Sequence, residues 1–117
     1  MSYIDGFVIP VRNADREIYR QHELKWWPHF KAKGALTLVA GWGDDVPAGK
    51  RTDLRRAVDL QSDESVVFCW MTWPDKATRD APYAQMEPQP GSVEAMDMPF
   101  DGKRMIFGGF VPLLDER

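Results

Sequence analysis

The chain reads as an α+β domain: a four-stranded antiparallel sheet with two helices on one face, in the order β-α-β-β-α-β. Three observations lead there. The run Val66–Trp73 is apolar on both alternations, with Val66, Phe68 and Trp70 on one side and Val67, Cys69, Met71 and Trp73 on the other. Such a strand is covered on both faces and belongs in the middle of a sheet. Helical stretches follow both the first strand and this one. Near the C-terminus Asp101-Gly102 precedes a last apolar run, and Asp-Gly is a strong hairpin signal.

Ile4–Val11 is the first strand, with β-propensity from Phe7, Val8, Ile9 and Val11. Asn13 or Asp15 is placed to cap the helix that follows, and Glu17 sits near the positive end of its dipole. On a helical wheel Ile18, His22, Trp26, His29 and Phe30 share one face, with Tyr19 at its edge. Arg16, Arg20, Glu23 and Leu24 fall elsewhere. Pro28 lacks an N–H and predicts a kink or break near Leu24–Trp27. Gly34 suits the left-handed position that ends a helix.

Leu36–Trp42 is the second strand, and Gly43–Gly49 a long polar turn. Arg55–Leu60 is read as a short irregular strand. After the central strand, Pro74-Asp75 opens a second helix over about 75–86, which Pro82 is expected to distort. Glu87–Glu94, with Pro88, Pro90 and Gly91, is a loop. Met98–Phe100 is a short extended piece joined through Asp101-Gly102 to a final strand, Lys103–Val111.

The bulk composition bounds what such a domain does. The 117 residues fit one domain, 1–117, with a hydrophobic share of 44% and 28% charged residues. A formal charge of -3 with no concentrated basic field argues against nucleic acid. Arg51, Arg55 and Arg56 form the only basic cluster, diluted by Asp53 and Asp59. The single cysteine, Cys69, fits a reducing compartment. No apolar run is long enough for a membrane span, and the start lacks the pattern of a signal peptide. A cytoplasmic location and no membrane partner are therefore expected.

The element order is that of a ferredoxin-like split βαβ unit. One sheet face takes the helices, and the chain has no spare element for the other. A partner sheet is the economical cover, which predicts a homodimer stacking two four-stranded sheets.

Asp5-Gly6-Phe7-Val8, the turn Trp42-Gly43-Asp44-Asp45-Val46-Pro47 and the stretch Met98–Phe110 together resemble the YbaA-like bacterial family. That family is catalogued as domain of unknown function 1428, within the dimeric α/β-barrel superfamily. The resemblance spans nearly the whole chain and implies the fold and a homodimer. It implies no activity, because the wider superfamily mixes cofactor-free monooxygenases, haem-degrading enzymes, lactone isomerases and proteins without known chemistry. Pro82 and the Pro88/Pro90 pair depart from relatives that are more helical there.

Among candidate site residues His22 comes first, because an imidazole titrates near neutrality and can serve as a general base. Its ordinary alternative is a buried histidine donating to a carbonyl. His29 lies nearly two turns further along, but two histidines without a third ligand make a weak metal signal. Neither a metal nor a cofactor is expected. In the barrels that this chain resembles, the cavity between helices and sheet accepts planar aromatic molecules, and the five tryptophans would line such a cavity well. Trp26, Trp42 and Trp70 are its candidate walls, with Trp26 facing Trp70 across the gap; simple core packing is the alternative. Asp44 and Asp45 read as turn stabilisers, Asp53 with Arg55 and Arg56 as surface ion pairs, and Cys69 as an inert thiol. Arg104, beside Lys103, is a candidate anion ligand, with Gly108-Gly109 either admitting a ligand or forming a bulge. Three function classes follow: a ligand-binding dimer, a cofactor-free monooxygenase or isomerase with His22 as base, and a structural or protein-interaction dimer.

Overall fold

Two-sided apolar alternation makes the strand after the second connection the spine of the sheet. In the computed structural model, which describes residues 2–86 and 98–117, that strand is β3, Glu64–Trp73. It pairs antiparallel along its whole length with β1, Tyr3–Arg12, from Tyr3 opposite Trp73 to Arg12 opposite Glu64. On its other side lies β2, Thr37–Trp42, and on the outer edge of β1 lies a last strand, Ile106–Phe110. The antiparallel order places the first and third strands in the centre, as the pattern predicts.

Two long helices lie on one face. The first, α1, runs Arg16–Ala32 after a single 3₁₀ turn at Asn13–Asp15. A one-turn α2, Leu54–Ala57, sits in the connection between β2 and β3. The helix after β3 is α3, Lys76–Met86, and the last strand is β4. Phe30 of α1 and Tyr83 of α3 meet at 6.3 Å between ring centroids over Tyr3, Met71 and Trp73 of the sheet. A second cluster joins Tyr19 to Ile9, Val11, Val67 and Cys69.

The helix α1 differs from its wheel. Tyr19 and Phe30 are its buried residues, while Ile18 is 58% exposed. The packed stripe runs through Tyr19, Glu23, Trp26, Trp27 and Phe30, so Glu23 turns toward the sheet and Ile18 away. The helix also continues through Pro28 without a break. Proline forfeits one backbone hydrogen bond there, and the packing of Trp26, Trp27 and Phe30 on either side holds the turn together. At its end Gly34 adopts φ 111. Its N–H donates to Lys31 O and that of Ala35 to Phe30 O, the paired bonds of a Schellman cap.

Four further expectations are corrected. The short strand at Arg55–Leu60 is instead α2, begun by Asp53, whose carboxylate accepts the Arg56 N–H at 2.7 Å and the Gly49 N–H at 3.0 Å. Met98–Phe100 does not form a strand. Asp101 closes a turn on itself, accepting Lys103 N–H on its side chain and Arg104 N–H on its carbonyl. Phe100 is drawn under the helix against Tyr19, with ring centroids 6.0 Å apart. The last strand is correspondingly shorter, and Gly108-Gly109 makes no bulge, because its pairing with β1 is continuous. A side chain at Gly109 would collide with Tyr3 Oη, so the glycine lets the Tyr3 ring lie over β4. The helix α3 begins with Asp75 accepting Thr78 N–H and runs through Pro82 to Met86. The loop expected at Glu87–Glu94 lies outside the described residues.

The opposite face of the sheet carries Ile4, Val8, Val39, Phe68, Trp70, Ile106 and Phe110, and no helix among the described residues lies over it. Phe68 is 49% and Phe110 58% exposed. Only the end near Pro10 and Val66 is buried, where the chain returns from β2 and Gly43 N–H donates to Val66 O.

Candidate functional site

A half-open cavity of about 310 Å³ lies between α1 and the β2 edge of the sheet. Leu38, Ala40 and Trp42 reach it from β2, Val67 from β3, and Arg16, Tyr19, Arg20, Glu23 and Trp27 from α1. Strand alternation puts Leu38, Ala40 and Trp42 on the helix side, and the helical repeat lines up Arg16, Tyr19, Glu23 and Trp27 along one flank.

Polar chemistry gathers at the cavity's inner edge. Glu23 is mostly buried, with 24% of its side chain exposed, and its Oε1 lies 3.8 Å from His22 Nδ1. Burial raises its carboxyl pKa, with the neighbouring His22 opposing the rise. Tyr19 Oη is fully buried and has no partner at hydrogen-bonding geometry among the described residues. Burial, and then the charge of Glu23, push the phenol above its ordinary value. Cys69 belongs to the same group, and burial pushes its thiol up to about 12, so it remains protonated and unreactive at neutral pH. A carboxyl that is hard to ionise beside a neutral phenol can donate to an acceptor in the cavity or exchange a proton with it.

The residues singled out in the sequence are dispersed by the fold. His22 is largely buried, yet it packs on Trp26 at 6.4 Å and is not among the cavity's lining residues. Trp26 also contacts His29, with ring centroids at 5.8 Å, and adds to the core near Phe30. Trp42 does line the cavity. Trp70 projects from the open sheet face beside Phe68, so it cannot face Trp26. Trp73 holds the helix-side position instead. Arg104 is far along the chain's own network: it grips both oxygens of Glu64 at 2.7 and 2.6 Å, Asp101 at 2.9 Å and the carbonyl of Asp59 at 2.9 Å. This hydrogen bonding from Arg104 holds the Glu64 carboxyl below its usual range. Among the described residues no three His, Cys, Asp or Glu side chains are grouped to hold a metal ion.

Sequence reasoning missed two features. Glu23 was placed off the face shared by His22, Trp26 and Phe30, and only the true phase of α1 reveals it. Asp5, 2% exposed, accepts from Trp73 Nε1 and Arg79 Nε, both at 2.9 Å. The Arg79 guanidinium stands 5.3 Å from the Tyr3 ring centroid and 4.9 Å from that of Tyr83. An acidic residue inside an apolar strand was the available signal for a buried partner.

Comparison with known proteins agrees with this architecture. The chain is 47% identical over 117 residues to the uncharacterized protein YbaA of Escherichia coli strain K12, covering 99% of this chain and all of that one. The Shigella flexneri protein of the same name matches to the same extent. A crystal structure of a dimeric ferredoxin-like protein from an uncultured marine organism superposes with a TM-score of 0.61, covering 99% of this chain and all of that one. At 13% identity that match speaks to the fold alone. No helix among the described residues is long and apolar enough to cross a membrane. The family model for a protein of unknown function, DUF1428, matches residues 2–102, and the chain belongs to that family.

Proposed function

We propose that the protein is a homodimer that binds a small aromatic molecule in the cavity between α1 and β2. The ligand reading is carried by that cavity: apolar walls from Trp27, Leu38, Val67 and Trp42 close on a buried polar edge made by Glu23 and Tyr19. Ligand sites are commonly concave and apolar with a few convergent polar groups. The dimer reading is supported by the open apolar face and by the dimeric solved neighbour. Stacking on that face leaves the helix-side cavity open to solvent.

Ala40 lines the cavity from β2 and is exposed. Ala40→Phe should therefore fill the space without disturbing the core. In a thermal-shift screen of small aromatic compounds, wild-type protein should gain stability with at least one of them, and Ala40→Phe should lose at least tenfold in affinity for it. Equal response from both proteins places the ligand elsewhere. No response from either favours a structural or protein-interaction dimer.

A proton-transfer enzyme is the second reading, favoured by Glu23 as a perturbed carboxyl at a cavity edge. The base would then be Glu23, which faces the cavity, in preference to His22, which faces Trp26.

A further inference from the structure

The cavity is polarised along its depth. Arg16 and Arg20 are exposed at its mouth. Arg20 is committed to Glu17, Nη1 to Oε1 at 3.0 Å, and Glu17 also accepts from Gln21 at 2.9 Å. Arg16 has no hydrogen bond or ion pair among the described residues, and its guanidinium stands 5.2 Å from the Trp42 ring centroid. An arginine stacked on an indole keeps its N–H edge available for a planar anion. With Glu17 neutralised by Arg20, the mouth carries one uncompensated positive charge. At the other end Tyr19 Oη is buried beside the Glu23 carboxyl and the Cys69 thiol, with no partner at hydrogen-bonding geometry among the described residues. A buried hydroxyl in that condition is costly unless something completes it.

We infer that the cavity takes a planar aromatic acid, its carboxylate outward against Arg16 and a hydroxyl inward against Tyr19 and Glu23. This rests on the cavity being the binding site. It goes further in fixing the charge of the ligand and the direction in which it lies.

Calorimetric titration with 4-hydroxybenzoate, its neutral isostere 4-hydroxybenzamide, and benzoate tests it. The acid should bind about tenfold or more tightly than the amide, as a charge-assisted contact requires. Arg16→Gln should abolish that difference. Tyr19→Phe should weaken 4-hydroxybenzoate to the level of benzoate while leaving benzoate unchanged, which a merely structural role for Tyr19 would not do. Equal binding of acid and amide, unaltered by Arg16→Gln but lost in Ala40→Phe, overturns the orientation and leaves the cavity reading standing. Equal binding that survives Ala40→Phe overturns both, whereas failure of all three compounds to bind overturns the aromatic-acid assignment and leaves the cavity reading to the wider aromatic screen. Circular dichroism of each variant confirms that it is folded.

Discussion

Glu23 shows how one side chain can be misplaced by a helical wheel and yet matter most to the cavity. Ile18 and His22 pull the expected face toward themselves because they are apolar or weakly polar. Trp26 and Trp27 are adjacent, so either phase captures a tryptophan, and the wheel has little to decide with. The buried Tyr19 resolves the phase, and the carboxyl four residues later follows it inward. Its proton is held more tightly in the folded protein than in the unfolded chain, where the ordinary value is 4.5. Between that value and the raised native one, the folded state binds more protons, so this group's contribution to stability falls as pH rises. Below the unfolded value both states are protonated and the loss disappears. Glu23→Gln keeps the shape without the charge. It should change stability little near about pH 4 and add on the order of 1 kcal/mol near about pH 8, measured by urea denaturation at both. A gain of the same size at both pH values would contradict the assignment.

At the scale of elements, the strands of regular alternation were legible and the irregular pieces were not. The central strand and the Gly34 helix end follow from local chemistry that tertiary packing does not override. The helix α2 is one turn long, too short to show a period, and its capping Asp53 resembles a surface charge until Gly49 and Arg56 are seen to donate to it. The expected hairpin at Asp101-Gly102 fails because Asp101 satisfies the turn's own N–H groups and Phe100 is taken by Tyr19. The docking of α3 was illegible for a different reason: its main polar tie joins residues 74 positions apart in the chain. Arg79 reaches from α3 to Asp5 in β1, Nη2 to Oδ1 at 2.9 Å, and also to Asp80. Arg79→Met would leave the Asp5 carboxylate buried with only the Trp73 N–H. Breaking such a pair from one side costs about 3–5 kcal/mol. Urea denaturation should show that loss, and Asp5→Asn in the same chain should restore part of it. A loss below about 1 kcal/mol would mean that Arg79 packs on the tyrosines without securing the carboxylate.

Among the described residues one sheet face is covered by helices and the other is not, and the need to cover both was readable from the central strand. Val66, Phe68 and Trp70 alternate with Val67, Cys69, Met71 and Trp73, so both faces ask for cover although the helices supply only one. What the cavity takes was not readable, because its walls come from α1, β2 and β3 and meet only after the sheet has formed. Exposed aromatic and aliphatic side chains in one contiguous patch mark an association surface. The claim on which the assembly turns is that a second copy of the chain covers the open face. Light scattering at micromolar concentration measures it most directly. Wild-type protein should have twice the 13.4 kDa chain mass, and Phe68→Glu, which puts a charge at the centre of the patch, should return a folded species of the single-chain mass. A wild-type mass of one chain under those conditions would contradict the account.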